Sequence, residues 1–242
     1  MATLFVTVNP DVEHMRVKRT EHNFIRTYTG RKFWPLDPRA DEIFIEDVAH
    51  HLSLECRFTG ATYCHYSVAE HSLHVSKLAE RMALNATKKR TPEILTWVRE
   101  MALWGLLHDA SEAYLKDFPR PIKHAPGLGE LYRKIEAMIM GEVVARFDLI
   151  PQEPAIVKQA DLILCATEKR DLMTNSTRRR GEKAMPETIY PMDEQKAEVE
   201  FLRRFEALTM ARKADRLAAA LDTETYIATA LCEASRKPAG RD

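Results

Sequence analysis

His108 and Asp109 stand at the end of the apolar run MALWGLLHDASEAYL, a place that normally excludes polar groups unless something compensates them. Imidazole and carboxylate are both ligands for first-row divalent metals, so a metal ion is the natural compensation. Adjacent residues on a helix diverge by about 100°, so the pair can share one ion only at a helix edge, and further ligands must come from elsewhere. His71 is the best upstream candidate. Asp161, within AIVKQADLILCATEKRDL, is the best downstream one; Asp171 is the fallback, and Asp161 has a competing reading as a helix cap or the partner of Arg170. Such a site leaves positions open for water and a phosphate oxygen, the arrangement of metal-assisted hydrolysis at phosphorus. Glu112 follows His108 by four residues and Asp109 by three. On a continuous helix it shares their face and is placed to hold or deprotonate the attacking water, unless it is a surface glutamate paired with Lys116.

The elements that must position these residues read as helices. Glycines number 8, strand-like runs are few, and Ala, Leu, Glu, Lys and Arg dominate long segments. The exception is FIRTYTGRKFW (24–34), whose aromatic and β-branched residues flank Gly30 and suit a hairpin. Helices are predicted over Asp41–Leu54, from Ser67 to about Leu84, from Pro92 to about Tyr114, over Leu128–Phe147, from Pro154 to about Met173, over Glu194–Met210 and over Ala211–Ser235. Ser67 with Glu70 three residues on forms a capping-box pattern, and the Pro119-Arg-Pro121 breaker ends the third helix. Cys56–Tyr66 and the basic, proline-punctuated segment 174–193 read as loops, and Lys237–Asp242 as a frayed tail. The fold class is all-α: a helical bundle with a short N-terminal β-hairpin.

The 36 basic and 36 acidic residues cancel, which removes the footprint of a general nucleic-acid binder and leaves room for a small anionic substrate. Four cysteines without a CxxC pair, no secretory pattern at the N-terminus and no apolar run near the roughly 20 residues of a membrane span point to a soluble, cytoplasmic protein.

The set His71, His108-Asp109 and Asp161 resembles the signature of the HD superfamily of metal-dependent phosphohydrolases. YSVAEHS (66–72) and LLHDASEAYLKDFPRPIK (106–123) resemble its 5'-deoxynucleotidase branch, and PLDPRADEIFIEDVAHHLSLECRFTGATYCHYSVAEHSLHVS is similar to a bacterial and phage subgroup. The match runs from about residue 33 to 210 and implies an HD-domain bundle over 33–210, an extension at 1–32, and a C-terminal helix and tail at 211–242 packed on the same domain. It implies that His71, His108, Asp109 and Asp161 hold a divalent ion (Co, Mn, Zn or Mg) and that Glu112 orients the attacking water. It implies too that Asp117 acts near the leaving 5' oxygen and that Arg57-Phe58 binds phosphate and senses the sugar. Phe58 stands where the deoxynucleotidase pattern has Trp, so less of the pocket is closed against a 2'-hydroxyl.

The implied activity is hydrolysis of (deoxy)nucleotide phosphates, foremost of monophosphates, with a triphosphohydrolase as the alternative. A dinuclear site, as in a cyclic-nucleotide phosphodiesterase, needs more histidines than His124 between the HD pair and the last aspartate. A non-enzymatic nucleotide binder would not need the full ligand set. The implied partner is a small nucleotide rather than a nucleic-acid polymer or a membrane. The alanine-rich C-terminal helix could face either its own domain or a second subunit in a homo-oligomer. His74 reads as a residue that supports the metal site or faces solvent, His50 and His51 as helix-packing or loop-anchoring residues, and Arg178-Arg179-Arg180 as a solvated loop or a triphosphate clamp.

Overall fold

A computed structural model describes residues 15–174 and 183–235, with only the backbone described for Arg216 and 219–235. The Arg178-Arg179-Arg180 run, residues 1–14 and the Lys237–Asp242 tail lie outside the described residues. The hairpin forms as expected: β1 (Ile25–Arg26) pairs antiparallel with β2 (Lys32–Phe33). Its turn is tied to the first helix by Thr29 N–H donating to Asp47 Oδ1 at 2.7 Å.

The helices are α1 (Ile45–Leu54), α2 (Val68–Asn85), α3 (Pro92–Leu107), α4 (Glu112–Leu115), α5 (Arg120–Lys123), α6 (Leu128–Phe147), α7 (Ala155–Leu172) and α8 (Glu194–Ser235). The central one is α2, which packs most extensively on α3 and also against α7, α8 and α1. Its inward residues Val68, Leu73, Val75 and Ala79 join Leu52, Leu103, Leu106, Leu107, Leu164 and Phe201 in one apolar core. Burying each large aliphatic side chain of this kind is worth about 1.5–3 kcal/mol. The Ser67 hydroxyl accepts from Glu70 N–H at 3.1 Å, so the cap forms. The reciprocal half of the box does not, because Glu70 Oε2 accepts instead from Met192 N–H at 3.0 Å.

Three expectations are corrected. The helix that starts at Pro92 ends at Leu107 rather than near Tyr114, and His108 to Ser111 are turns before the one-turn α4. The break answers the divergence of neighbours on a regular helix, since it lets His108 and Asp109 turn toward one point. Second, Pro119 and Pro121 start a helix instead of only ending one: α5 carries them at its cap and first turn, where a missing N–H costs nothing. Third, Glu194–Met210 and Ala211–Ser235 are one backbone helix, as no Gly or Pro interrupts them. Among the described residues no helix is long and apolar enough to cross a membrane.

The closeness of α2 and α3 depends on Gly105. A Cβ there would lie 3.0 Å from Ser76 Cα and 3.1 Å from Ser76 N, both backbone atoms that cannot swing away. Overpacking of this kind costs about 1–3 kcal/mol. Gly105→Val should therefore lower stability by about 2–3 kcal/mol, read as a drop in the urea midpoint; an unchanged midpoint would contradict the close-approach reading.

Candidate active site

His71, fully buried on α2, is held from both sides of its ring. Its Nδ1–H donates to Glu168 Oε1 at 2.6 Å, and its Nε2 faces His108 Nε2 at 3.3 Å. His108 caps α3, with Nδ1–H donating to the Gly105 carbonyl at 2.9 Å. Each Nδ1 faces an acceptor and so carries a proton, which in the neutral rings leaves both Nε2 atoms as lone pairs. Asp109 Oδ2 lies 3.2 Å from His108 Nε2 and 3.6 Å from His71 Nε2, and Asp161 Oδ1 lies 3.2 Å from His71 Nε2.

Four electron-pair donors thus crowd one point, with repulsion that only a positive charge relieves. A divalent cation fits: two imidazoles and two carboxylates are a donor set for first-row metals, and the anchored Nδ1–H groups orient the rings as in many metal sites. The same demand for positive charge shows in the protein's own groups. Burial and the neighbouring Arg57 push His71 down, but Glu168 and Asp161 outweigh them and raise its pKa to about 9. Burial pushes Glu168 up, yet Arg57 and His71 win and hold it at about 2.

Arg57 is buried, with Nη2 3.3 Å from Glu168 Oε2 and Nη1 3.5 Å from Asp109 Oδ2, rather than paired with its neighbour Glu55 at the surface. Glu55 meets Lys116 instead. The segment Arg57–Gly60 is a short 3-10 turn in which Phe58 (φ 54) and Thr59 (φ 52) adopt left-handed backbone, a conformation that costs non-glycine residues of order 1 kcal/mol or more. This turn sets Arg57 and Phe58 on the wall of a cleft of about 460 Å³ that Asp109, Glu112, Asp117 and Asp161 also line. His71, His108, Asp109 and Asp161 therefore meet at one site with Arg57, Phe58, Glu112 and Asp117.

Several details differ from the sequence reading. Glu112 does not share a helical face with the HD pair, because the helix is interrupted between them. It reaches the cleft through the turn, with its N–H donating to Asp109 O at 3.0 Å. It is buried and bonded to Lys123 Nζ at 2.7 Å, not exposed and paired with Lys116. Burial, with Asp109 and Asp117 nearby, raises its carboxyl well above the usual range, and Lys123 opposes the rise. Asp117 is raised mainly by burial. Asp171, the fallback ligand, pairs with Arg170 and accepts from Ile189 N–H, away from the site. His51 links the hairpin to α4 by accepting from Tyr28 N–H and donating to Ala113 O, while His50 pairs with Glu198. His74 Nε2 faces Glu70 Oε1 at 3.5 Å.

Glu168 and Tyr66 escaped the sequence reading. Tyr66 OH donates to Glu168 Oε1 at 2.9 Å, completing a fully buried set of donors around that carboxylate. In the string ATEKR a glutamate looks like a surface residue. The available signal was its position seven residues after Asp161, two turns on along the same face of α7.

A helical bundle that gathers two imidazoles and two carboxylates beside an arginine-walled cleft is that of an HD-type phosphohydrolase. Residues 59–205 match the family described as 5'-deoxynucleotidase YfbR-like. The chain is 36% identical over 150 residues to the uncharacterized protein YfdR of Escherichia coli, an alignment covering 62% of this chain and 72% of that one. It is 34% identical over 116 residues to a 5'-deoxynucleotidase of Vibrio atlanticus (41% of this chain, 58% of that one) and 32% identical over 119 residues to one of Yersinia pestis (41% and 57%). It thus spans less than two thirds of the length of these two deoxynucleotidases. The chain belongs to the YfbR-like 5'-deoxynucleotidase family of HD-domain enzymes.

Glu168 orients His71, and removing such a carboxylate partner typically costs 10–100-fold in metal affinity. Glu168→Gln should weaken Mn²⁺ binding to the metal-free protein by about 10-fold or more, measured by titration calorimetry. Unaltered affinity would show that the His71–Glu168 bond does not support a metal centre.

Proposed function

We propose that the chain hydrolyses the phosphate ester of (deoxy)nucleoside 5'-monophosphates, releasing nucleoside and inorganic phosphate. One observation carries the reading: the donors of His71, His108, Asp109 and Asp161 converge beside a cleft that Arg57, Glu112 and Asp117 also line. The four donors would hold a divalent ion, and two imidazoles favour Mn, Co or Zn over Mg. When bound, such an ion polarises a phosphoryl oxygen and acidifies water.

The remaining work belongs to the chain. The Arg57 guanidinium, held charged by Glu168 and Asp109, binds the phosphate oxygens. Glu112, at the cleft wall with one oxygen held by Lys123, takes a proton from the attacking water. Attack at phosphorus breaks the bond to the 5' oxygen. Asp117, on the wall of the same cleft, supplies the proton that lets this oxygen leave as a hydroxyl. Phe58, beside Arg57 at the cleft wall, faces the sugar.

Arg120 and Lys169 line the same cleft and extend its positive charge, which favours a triphosphohydrolase as the second reading. The catalytic domain is assigned to 33–210, a span that contains the whole family match. The described cysteines Cys56, Cys64 and Cys165 are free, in keeping with a cytoplasmic enzyme.

The test is a screen of deoxy- and ribonucleoside mono-, di- and triphosphates with Mn, Co, Zn and Mg, resolving phosphate from triphosphate. Phosphate release from monophosphates is expected, and its loss in a folded Asp109→Ala variant; equal turnover by that variant would refute the site. Phe58→Trp should raise the preference for deoxy over ribo substrates by roughly 10-fold, about 1.4 kcal/mol. No change in that ratio would remove Phe58 from sugar discrimination.

A further inference from the structure

Glu112 has an asymmetric environment. It is 3% exposed, its Oε1 accepts from Lys123 Nζ at 2.7 Å, and its Oε2 is buried without any hydrogen-bond partner. An orphaned carboxylate oxygen in such a place is costly, typically by 1–3 kcal/mol or more. Its persistence at the wall of the cleft marks an acceptor awaiting a donor.

Lys123 is built to hold the other oxygen. Its ammonium lies 3.2 Å from Glu136 Oε1 on α6 and 5.3 Å from the Tyr132 ring centroid, so it is fixed on three sides. Tyr132 is itself fixed: it stacks on Phe118 at 4.6 Å and its OH donates to the Lys116 carbonyl at 2.6 Å. The backbone of α5 is clamped as well. Arg133 donates to the Lys123 carbonyl, and a Cβ on Gly129 would come within 2.5 Å of that same oxygen, so only glycine lets α5 sit this close to α6.

We propose that Lys123 is a positioning residue for Glu112: its ammonium holds Oε1 and thereby aims the unpartnered Oε2 into the cleft to accept a proton from the attacking water. A carboxylate on a rotatable stem could otherwise turn either oxygen toward Asp109 or solvent. A base fixed beforehand needs no reorganisation when the proton moves. Glu136 balances the lysine from behind, so the ammonium is shared rather than fully surrendered to Glu112. The proposal rests on the reading of Glu112 as the proton acceptor.

The test is a double-mutant cycle on the Mn²⁺-loaded full chain with a deoxynucleoside monophosphate, using Lys123→Met, Glu112→Gln and the double variant, with Lys123→Arg alongside. Proton transfer by a placed base contributes about 100-fold or more, so E112Q should lose that much in kcat. K123M should lose roughly 10- to 100-fold in kcat with KM and Mn²⁺ affinity within about twofold of wild type, and the double variant should be no slower than E112Q. K123R, which keeps the charge but moves the donor, should fall between wild type and K123M; if K123M does not fold, a slowed K123R with unchanged KM carries the same support.

Multiplying effects in the double variant, a rise in KM alone, or a folded K123M or K123R at the wild-type kcat would overturn the assignment of Lys123. A wild-type chain without turnover, or E112Q as fast as wild type, would instead overturn the reading of Glu112, and the proposal with it.

Discussion

Two imidazole nitrogens 3.3 Å apart, flanked by two carboxylate oxygens, are the constraint on which the rest of the structure depends. In water the groups would separate or protonate. Here they are held together by the chain: α2 fixes His71, the end of α3 fixes His108, the turn after it fixes Asp109, and α7 brings Asp161. The Gly105 backbone serves twice, letting α2 and α3 approach and supplying the carbonyl that orients His108. A site of this kind asks for a cation, and the fold holds its four donors together at one point.

Around that centre the buried charges are paired rather than isolated. Arg57 stands between Asp109 and Glu168; Glu168 in turn receives Arg57, His71 and Tyr66. Removing one member of such a buried set usually costs about 3–5 kcal/mol because the other charge is left without a partner. The network therefore fixes geometry more than it adds net stability. It delivers a guanidinium to the cleft wall with its charge secured and its direction set, which is what recognition of a phosphate requires.

Much of this was legible in the sequence. Leu128–Phe147 reads as a helix to the residue, the hairpin follows from aromatic residues around Gly30, and the polar His108-Asp109 pair at the end of an apolar run announces the centre. What could not be read depends on distance in space. Nothing local marks the helix interruption at residues 108–111, because Ala110 and Ser111 are ordinary helix residues and tertiary packing overrides their propensity. Glu168 looks like a surface glutamate beside Lys169 and Arg170, and only the fold places it against His71. Lys123 sits eleven residues from Glu112, across two prolines, and its bond appears only once α5 is clamped on α6. The basic run at 178–180 lies outside the described residues.

The most direct measurement is the stoichiometry of metal binding: metal-free protein titrated with Mn²⁺ or Co²⁺ by calorimetry, with bound ion counted by elemental analysis. The account predicts one ion per chain, lost in both His108→Ala and Asp161→Ala variants that keep the fold. Two tightly bound ions per chain, or one ion bound equally well by both variants, would contradict it.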